Sequence, residues 1–166
     1  MDGWDNFFVA MAGAAVAFAG LVLVSVSINL ERIIKQPGLV GRSAEPLVVL
    51  FTLFVASSIV LIPGQRLRFY GYELLVLGIA FAIVIGKVLH SQREQAVRVE
   101  KAGLAPGNSF RFRFTACAIT AVTLFAAGAT LAFGNEKGMF LLVPAVVSGF
   151  LLCFVDAWVL LIEIDR

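Results

Sequence analysis

Long runs without a charged residue constrain this chain more than any other feature. The clearest run extends from Asn6 to Leu30, and others extend from Pro46 to Gln65 and from Phe114 to Asn135. A helix needs about 20 mostly apolar residues to cross a hydrocarbon core of about 30 Å. The composition agrees, because 60% of the residues are hydrophobic and only 14% are charged, against about 25% charged in a typical soluble domain. The chain is therefore predicted to be an integral membrane protein.

We predict an all-α membrane helix bundle with five transmembrane helices in a single domain, 1–166. The third span is the least regular, because its uncharged core lies between Glu73 and Lys87, and the fifth span contains Asp156. The third helix is expected to continue beyond the membrane toward Lys101. The predicted spans are 7–30, 46–63, 71–89, 114–134 and 139–162, with a cytoplasmic loop at 90–113.

Proline and glycine predict where several of these helices begin and end. The first helix is expected to run on through Glu31–Lys35 and to stop at Pro37-Gly38, since this pair is a strong helix breaker. Ser43 is predicted to be the N-cap of the second helix, which would place Pro46 in the first turn, where proline is tolerated.

The basic residues predict the orientation. With the N-terminus outside and the C-terminus in the cytoplasm, only Arg66, Arg68 and Lys137 lie outside, and all other lysines and arginines lie on the cytoplasmic side. Cytoplasmic loops carry an excess of lysine and arginine. A reporter fused after Lys101 that proved extracytoplasmic would contradict this topology.

Asp156 lies farther from the ends of its predicted span than any other charged residue. A carboxylate in the membrane costs a few kcal/mol, so it should face protein or water, or be paired. We expect it to meet a stripe of the first helix or Lys87. Two interpretations remain open: a proton or ion path or polar substrate site, or a structural clasp between helices. The predicted intramembrane polar cluster comprises Asp156, Asn29, Arg32, Ser25, Lys87 and Glu31.

Small residues at helical spacing predict two packing seams, one in the first span and one in the fourth. In lipid, helices associate through close packing and polar contacts, so small residues are typical of contact faces. Gly149 of the fifth span adds a further small position, near Pro144, where the helix is free to bend. The predicted helix-packing residues are Gly13, Ala17, Gly20, Thr120, Thr123 and Gly149.

Rings and cations alternate just before the fourth span. Arg111, Phe112 and Arg113 are predicted to anchor this helix at the lipid interface, where aromatic and basic residues are enriched. Binding of anionic lipid head groups by the two arginines is the alternative.

The sequence shows no signature of an enzyme. It contains no HExxH, GxSxG, P-loop or dinucleotide-binding motif, and a lone histidine, His90, is a poor basis for a metal site. Cys117 and Cys153 are predicted to be packed, reduced thiols. A formal net charge of +2 gives no argument for nucleic acid. We therefore expect no catalytic role, no metal and no cofactor.

The segment Trp4–Arg32, WDNFFVAMAGAAVAFAGLVLVSVSINLER, resembles the start of small bacterial multi-pass inner-membrane proteins of unassigned activity. Pro63-Gly64-Gln65 after the second span is similar to that group as well. Some members are labelled modulators of a membrane protease. The resemblance implies a bacterial inner (cytoplasmic) membrane and a regulatory role.

The sequence therefore favours a non-enzymatic protein that acts through helix–helix interaction in the lipid bilayer. The expected partner is a second copy of the chain, giving a homo-oligomer, or a larger membrane complex. The alternative is an oligomeric ion channel or small-solute transporter, with a polar path near Asp156, Asn29 and Glu31.

Overall fold

The structure is a computed structural model that describes residues 3–35, 37–101 and 109–162. Within these ranges side chains are described except at 32, 37–40, 42, 94–101, 109–111 and 159–162. The described residues form helices, with short turns at 61–66 and 133–137. In chain order the helices are α1 (Asp5–Ile28), α2 (Leu30–Lys35), α3 (Pro37–Val60), α4 (Leu67–Lys101), α5 (Ser109–Ala132) and α6 (Gly138–Ile162).

Five of the described helices are long and apolar enough to cross a membrane, as the sequence predicts. The apolar segments alternate in direction, so the C-terminal ends of the segments in α4 and α6 lie beside the N-terminal ends of the segments in α3 and α5. The five segments are Asp5–Ile28, Ser43–Val60, Leu67–Arg93, Phe112–Ala132 and Gly138–Trp158.

The first helix ends earlier than the sequence suggests. Its C-cap is Asn29, whose side-chain amide donates to the carbonyl of Ser25 at 3.1 Å. An asparagine that bonds to nearby backbone competes with the regular helical pattern. The short helix α2 follows the break, and Pro37 begins α3 instead of stopping the preceding helix. Proline suits this position because the first residues of a helix need no N–H partner.

Two consequences follow for α3. Ser43 lies within the helix and not at its N-cap, and Pro46 is an interior residue. Because Pro46 has no N–H, one backbone bond of α3 is missing at this end of the helix. The prediction that the third span continues toward Lys101 is confirmed by the 35-residue helix α4.

Helix α3 lies at the centre of the bundle and packs against α1, α4 and α6. One cluster of buried apolar side chains, including Val49, Leu53 and Phe81, fills one half of the bundle. A second cluster, including Leu74 and Leu131, fills the half near the α5–α6 turn. The bundle therefore has an apolar core along its length.

Glycines permit the closest helix contacts. A Cβ on Gly71 would lie 2.2 Å from the backbone nitrogen of Ala132, and one on Gly128 would lie 2.9 Å from the backbone nitrogen of Leu75. The backbones of α4 and α5 approach each other here without side chains between them. Gly149 has a similar role in α6, since its Cβ would lie 2.9 Å from Leu53 of α3.

The two predicted packing seams, one in α1 and one in α5, differ in how far their residues are buried. Thr120 of α5 is fully buried and Thr123 is half-buried. In α1, by contrast, Gly13, Ala17 and Gly20 are exposed. This stripe is therefore not a contact face within the described bundle, because the opposite side of α1 faces the other helices. Packing of the stripe against another chain stays a prediction. The residues of α1 that are buried are Phe8, Ala15, Val22 and Ser25.

Candidate functional site: a buried charged cluster

Charged and polar side chains from four helices meet at one end of the bundle. Glu45 comes from α3, Gln92 from α4, Arg113 from α5 and Asp156 from α6. Their exposed fractions are 0%, 8%, 5% and 1%. Each lies within three residues of the end of its apolar segment. We call these four residues the buried charged cluster.

Glu45 accepts hydrogen bonds from three side chains. Arg113 donates through Nη2 and Gln92 donates through Nε2 at 3.1 Å, both to Oε2 of Glu45. The thiol of Cys117 lies 3.5 Å from Oε1 and donates to it. A carboxylate without exposure to water needs such partners, because burial of an unpaired charge is very costly.

Arg113 joins the two carboxylates. Its Nη2 contacts Glu45, and its Nε lies 3.3 Å from Oδ1 of Asp156. One guanidinium can serve two acids because its five N–H donors point in several fixed directions. The ion pairs connect α3, α5 and α6, and Gln92 adds α4.

The two cysteines flank the cluster. Cys117 contacts Glu45, and the thiol of Cys153 donates to the backbone carbonyl of Pro46 at 3.5 Å. Both are free and buried, as predicted for packed, reduced thiols. Among the described residues, no group of three or more His, Cys, Asp or Glu is placed to hold a metal ion.

Asp156 is buried and lies beside Arg113, which is neither of the two cations, Arg32 and Lys87, that were predicted near it. Lys87 is exposed on α4 and takes part in none of the ion pairs among the described residues. The side chain of Arg32 lies outside those described. The expectation that Lys87 pairs with Asp156 is wrong, because Lys87 faces away from the α4 surface that carries Gln92.

Ser25, Asn29 and Glu31 of the predicted polar cluster each make a local contact. Ser25 donates to the carbonyl of Leu21 at 2.9 Å, and Asn29 donates to Ser25. Glu31 is 94% exposed and lies 3.9 Å from Lys35, one turn further along α2. The structure thus separates exposed Glu31 from buried Asp156.

Arg113 departs most from its predicted role. It was expected beside Arg111 and Phe112 as a lipid anchor, but its side chain points into the bundle. Phe112 is 45% exposed, as an interfacial ring would be, and the side chain of Arg111 lies outside those described. Because neighbouring residues point in different directions on a helix, an alternating run cannot all face lipid.

Sequence reasoning missed Glu45 and Gln92 and misplaced Arg113. A signal for Arg113 was present, because it precedes Ala116 by three residues and Thr120 by seven, which places it on the predicted seam of α5. Thr120 itself lies 2.9 Å from the hydroxyl of Ser148 and links α5 to α6. Glu45 was missed because it precedes Pro46, a residue that was predicted to lie in the first turn of a helix, outside the buried core.

The opposite end of the bundle carries a smaller polar group. Gln65 donates to Glu73 at 2.7 Å, and the hydroxyl of Tyr70 donates to the carbonyl of Ile62 at 2.6 Å. These bonds fix the turn between α3 and α4 against the start of α4.

Fold and site together define an all-helical protein with five helices of membrane-spanning length in its described part and a buried charged cluster at one end. This combination indicates a multi-pass membrane protein. The chain matches no family model, no curated protein and no solved structure.

Proposed function

We propose that the protein is a non-enzymatic multi-pass membrane protein that acts by associating with a second copy of itself through α1. The observation that carries the proposal is the exposed small-residue face of this helix. Nothing lies within 4 Å of the position that a Cβ would occupy on Gly13 or Gly20. With 100° per residue, this face lies opposite the buried side of α1. Its exposed members are Ala10, Gly13, Ala14, Ala17 and Gly20.

A second copy is the partner that suits this face best. Between Asp5 and Glu31 the helix has no charged residue, so the face offers shape and not charge to a partner. Small residues four apart let two helix backbones approach closely. A face of this kind can pack against its own copy about a two-fold axis, which is the commonest symmetry of homo-oligomers.

The arrangement of the charged residues argues against the alternative function, which is conduction along a polar path. Glu45 receives three donors from its own chain, and Arg113 joins it to Asp156 inside the bundle. Exposed Glu31 lies apart from them and pairs with Lys35. These contacts favour a structural clasp between helices over a conduction path through Asp156, Asn29 and Glu31.

Replacement of small by large residues on α1 tests the proposal. Gly13→Leu/Gly20→Leu should weaken association by about tenfold or more, a change of about 1.4 kcal/mol, because the added side chains hold two backbones apart. Light scattering across a concentration series in mild detergent measures this change. Ala82→Leu, at an exposed position of α4, is the matched control and should associate like the native chain.

Two results would contradict the proposal. One is a native chain that stays monomeric at every concentration. The other is a double variant that associates as strongly as the Ala82→Leu control.

We further propose a bacterial inner membrane with the N-terminus outside. The uneven division of basic residues supports this orientation, and it places the buried charged cluster at the cytoplasmic end of the bundle. The regulatory role implied by the resemblance of Trp4–Arg32 is consistent with association through the same helix. The reporter fused after Lys101 tests the orientation.

A further inference from the structure

A groove separates α4 from α5 at the end of the bundle that carries the buried charged cluster. Its volume is about 450 Å³, and the described residues that line it are Gly86, Leu89, His90, Arg93 and Phe114. The four residues of α4 follow the spacing of a single helix face. The groove is independent of the α1 face, which lies on another helix.

The chemistry of the groove changes with depth in the membrane. Its deeper part is apolar: Gly86 leaves open space, with nothing within 4 Å of its Cβ position, and Leu89 and the half-exposed ring of Phe114 form the walls. Its shallow part is polar. Arg93 is the last residue of the apolar segment of α4, and His90 lies one turn deeper.

This order of an apolar floor and a cationic rim matches the order of chemical groups in a phospholipid. The acyl chain lies in the hydrocarbon region and the phosphate lies at the interface. A guanidinium such as that of Arg93 suits a phosphate in two-point contact. Basic pockets between transmembrane helices bind anionic head groups in this way.

We propose that this groove binds one anionic phospholipid. The phosphate contacts Arg93 and His90, and an acyl chain lies along Gly86, Leu89 and Phe114. Phe114 follows Arg113 directly, so the bound lipid packs beside the buried charged cluster and stabilises the contact between α4 and α5. A ligand that binds only the folded state raises the unfolding temperature.

The test measures lipid retention and thermal unfolding of the full chain in mild detergent. Phosphatidylglycerol should be retained as a single bound lipid in native mass spectrometry and should raise the unfolding temperature. Phosphatidylcholine with the same acyl chains should do neither. Arg93→Gln should weaken phosphatidylglycerol binding by about tenfold, as expected when a hydrogen bond to a charged group is lost.

Two further variants separate the head group from the acyl chain. Gly86→Leu fills the deep part of the groove and should also weaken binding, although Arg93 is retained. Lys87→Gln removes an exposed cation next to Gly86 that does not line the groove, and it should bind like the native chain. Glycerol phosphate, which has the head group alone, should give no stabilisation.

Several outcomes would overturn the proposal. Equal retention of the two lipids would remove the role of charge, and an equal loss in Lys87→Gln would indicate non-specific attraction to basic residues. Stabilisation by glycerol phosphate that Gly86→Leu does not change would indicate a soluble phosphate ligand and not a lipid.

Discussion

Arg113 is the residue on which the buried charged cluster depends. It is the described cation that contacts both Glu45 and Asp156, and all three are almost without exposure. An ion pair of this kind adds little net stability over apolar residues of similar volume, but the loss of one partner leaves a charge buried alone. The geometry therefore makes the three residues dependent on one another.

Removal of this cation should strongly destabilise the bundle. Arg113→Gln should lower the free energy of unfolding by about 3–5 kcal/mol, because two carboxylates then lose their shared partner. Addition of Glu45→Gln to that variant should recover part of the loss, since one of the two carboxylates that lost Arg113 is then neutral. Chemical unfolding in detergent measures both effects.

A surface charge provides the comparison. Lys137→Gln, in the exposed turn before α6, should change stability by no more than about 0.5 kcal/mol. If Arg113→Gln were as stable as Lys137→Gln, the cluster would not hold the helices together.

At the scale of helices, the described segments differ most in how they are buried. In α3, 56% of the apolar segment is buried, against 17% in α1.

The sequence was sufficient to predict five apolar helices, because length and hydropathy decide that property. It was not sufficient to predict the break at Asn29 or the start of α3 at Pro37, because both residues are compatible with either the end or the beginning of a helix. Which side of α1 faces the bundle depends on the neighbouring helices, so small residues alone could not predict it.

The contact between α4 and α5 gives a prediction at this scale. Gly71→Ala should lower the free energy of unfolding by about 1–3 kcal/mol, as overpacking usually does, because its Cβ would lie 2.2 Å from the backbone of Ala132. Unfolding by heat or denaturant measures the loss. Gly20→Ala meets no atom within 4 Å and should not destabilise the chain, because alanine has the higher helix propensity. An equal loss in both variants would mean that the close packing at Gly71 is not responsible.

At the scale of the whole molecule, the buried charges, the α4–α5 groove and the exposed side of α1 lie in different places. Opposite charges are paired inside the bundle at one end, and the α4–α5 groove opens beside them. Helix α1 packs on α3 and α6 with one side and exposes its small residues on the other. From the sequence, Asp156 could be recognised as unusual, and the α1 stripe stays a predicted contact face. The pairing of Asp156 with Arg113 could not be predicted, because it depends on how the helices are arranged around each other.

Cross-linking between copies in intact membranes tests the central claim most directly. Ala17→Cys places a thiol in the middle of the exposed small-residue face, and Ala82→Cys places one on the exposed surface of α4. The native Cys117 and Cys153 are buried and should not react. We predict a cross-linked species of twice the 17.8 kDa chain mass with Ala17→Cys and little with Ala82→Cys. Equal cross-linking of the two variants, or none with Ala17→Cys, would contradict association through α1.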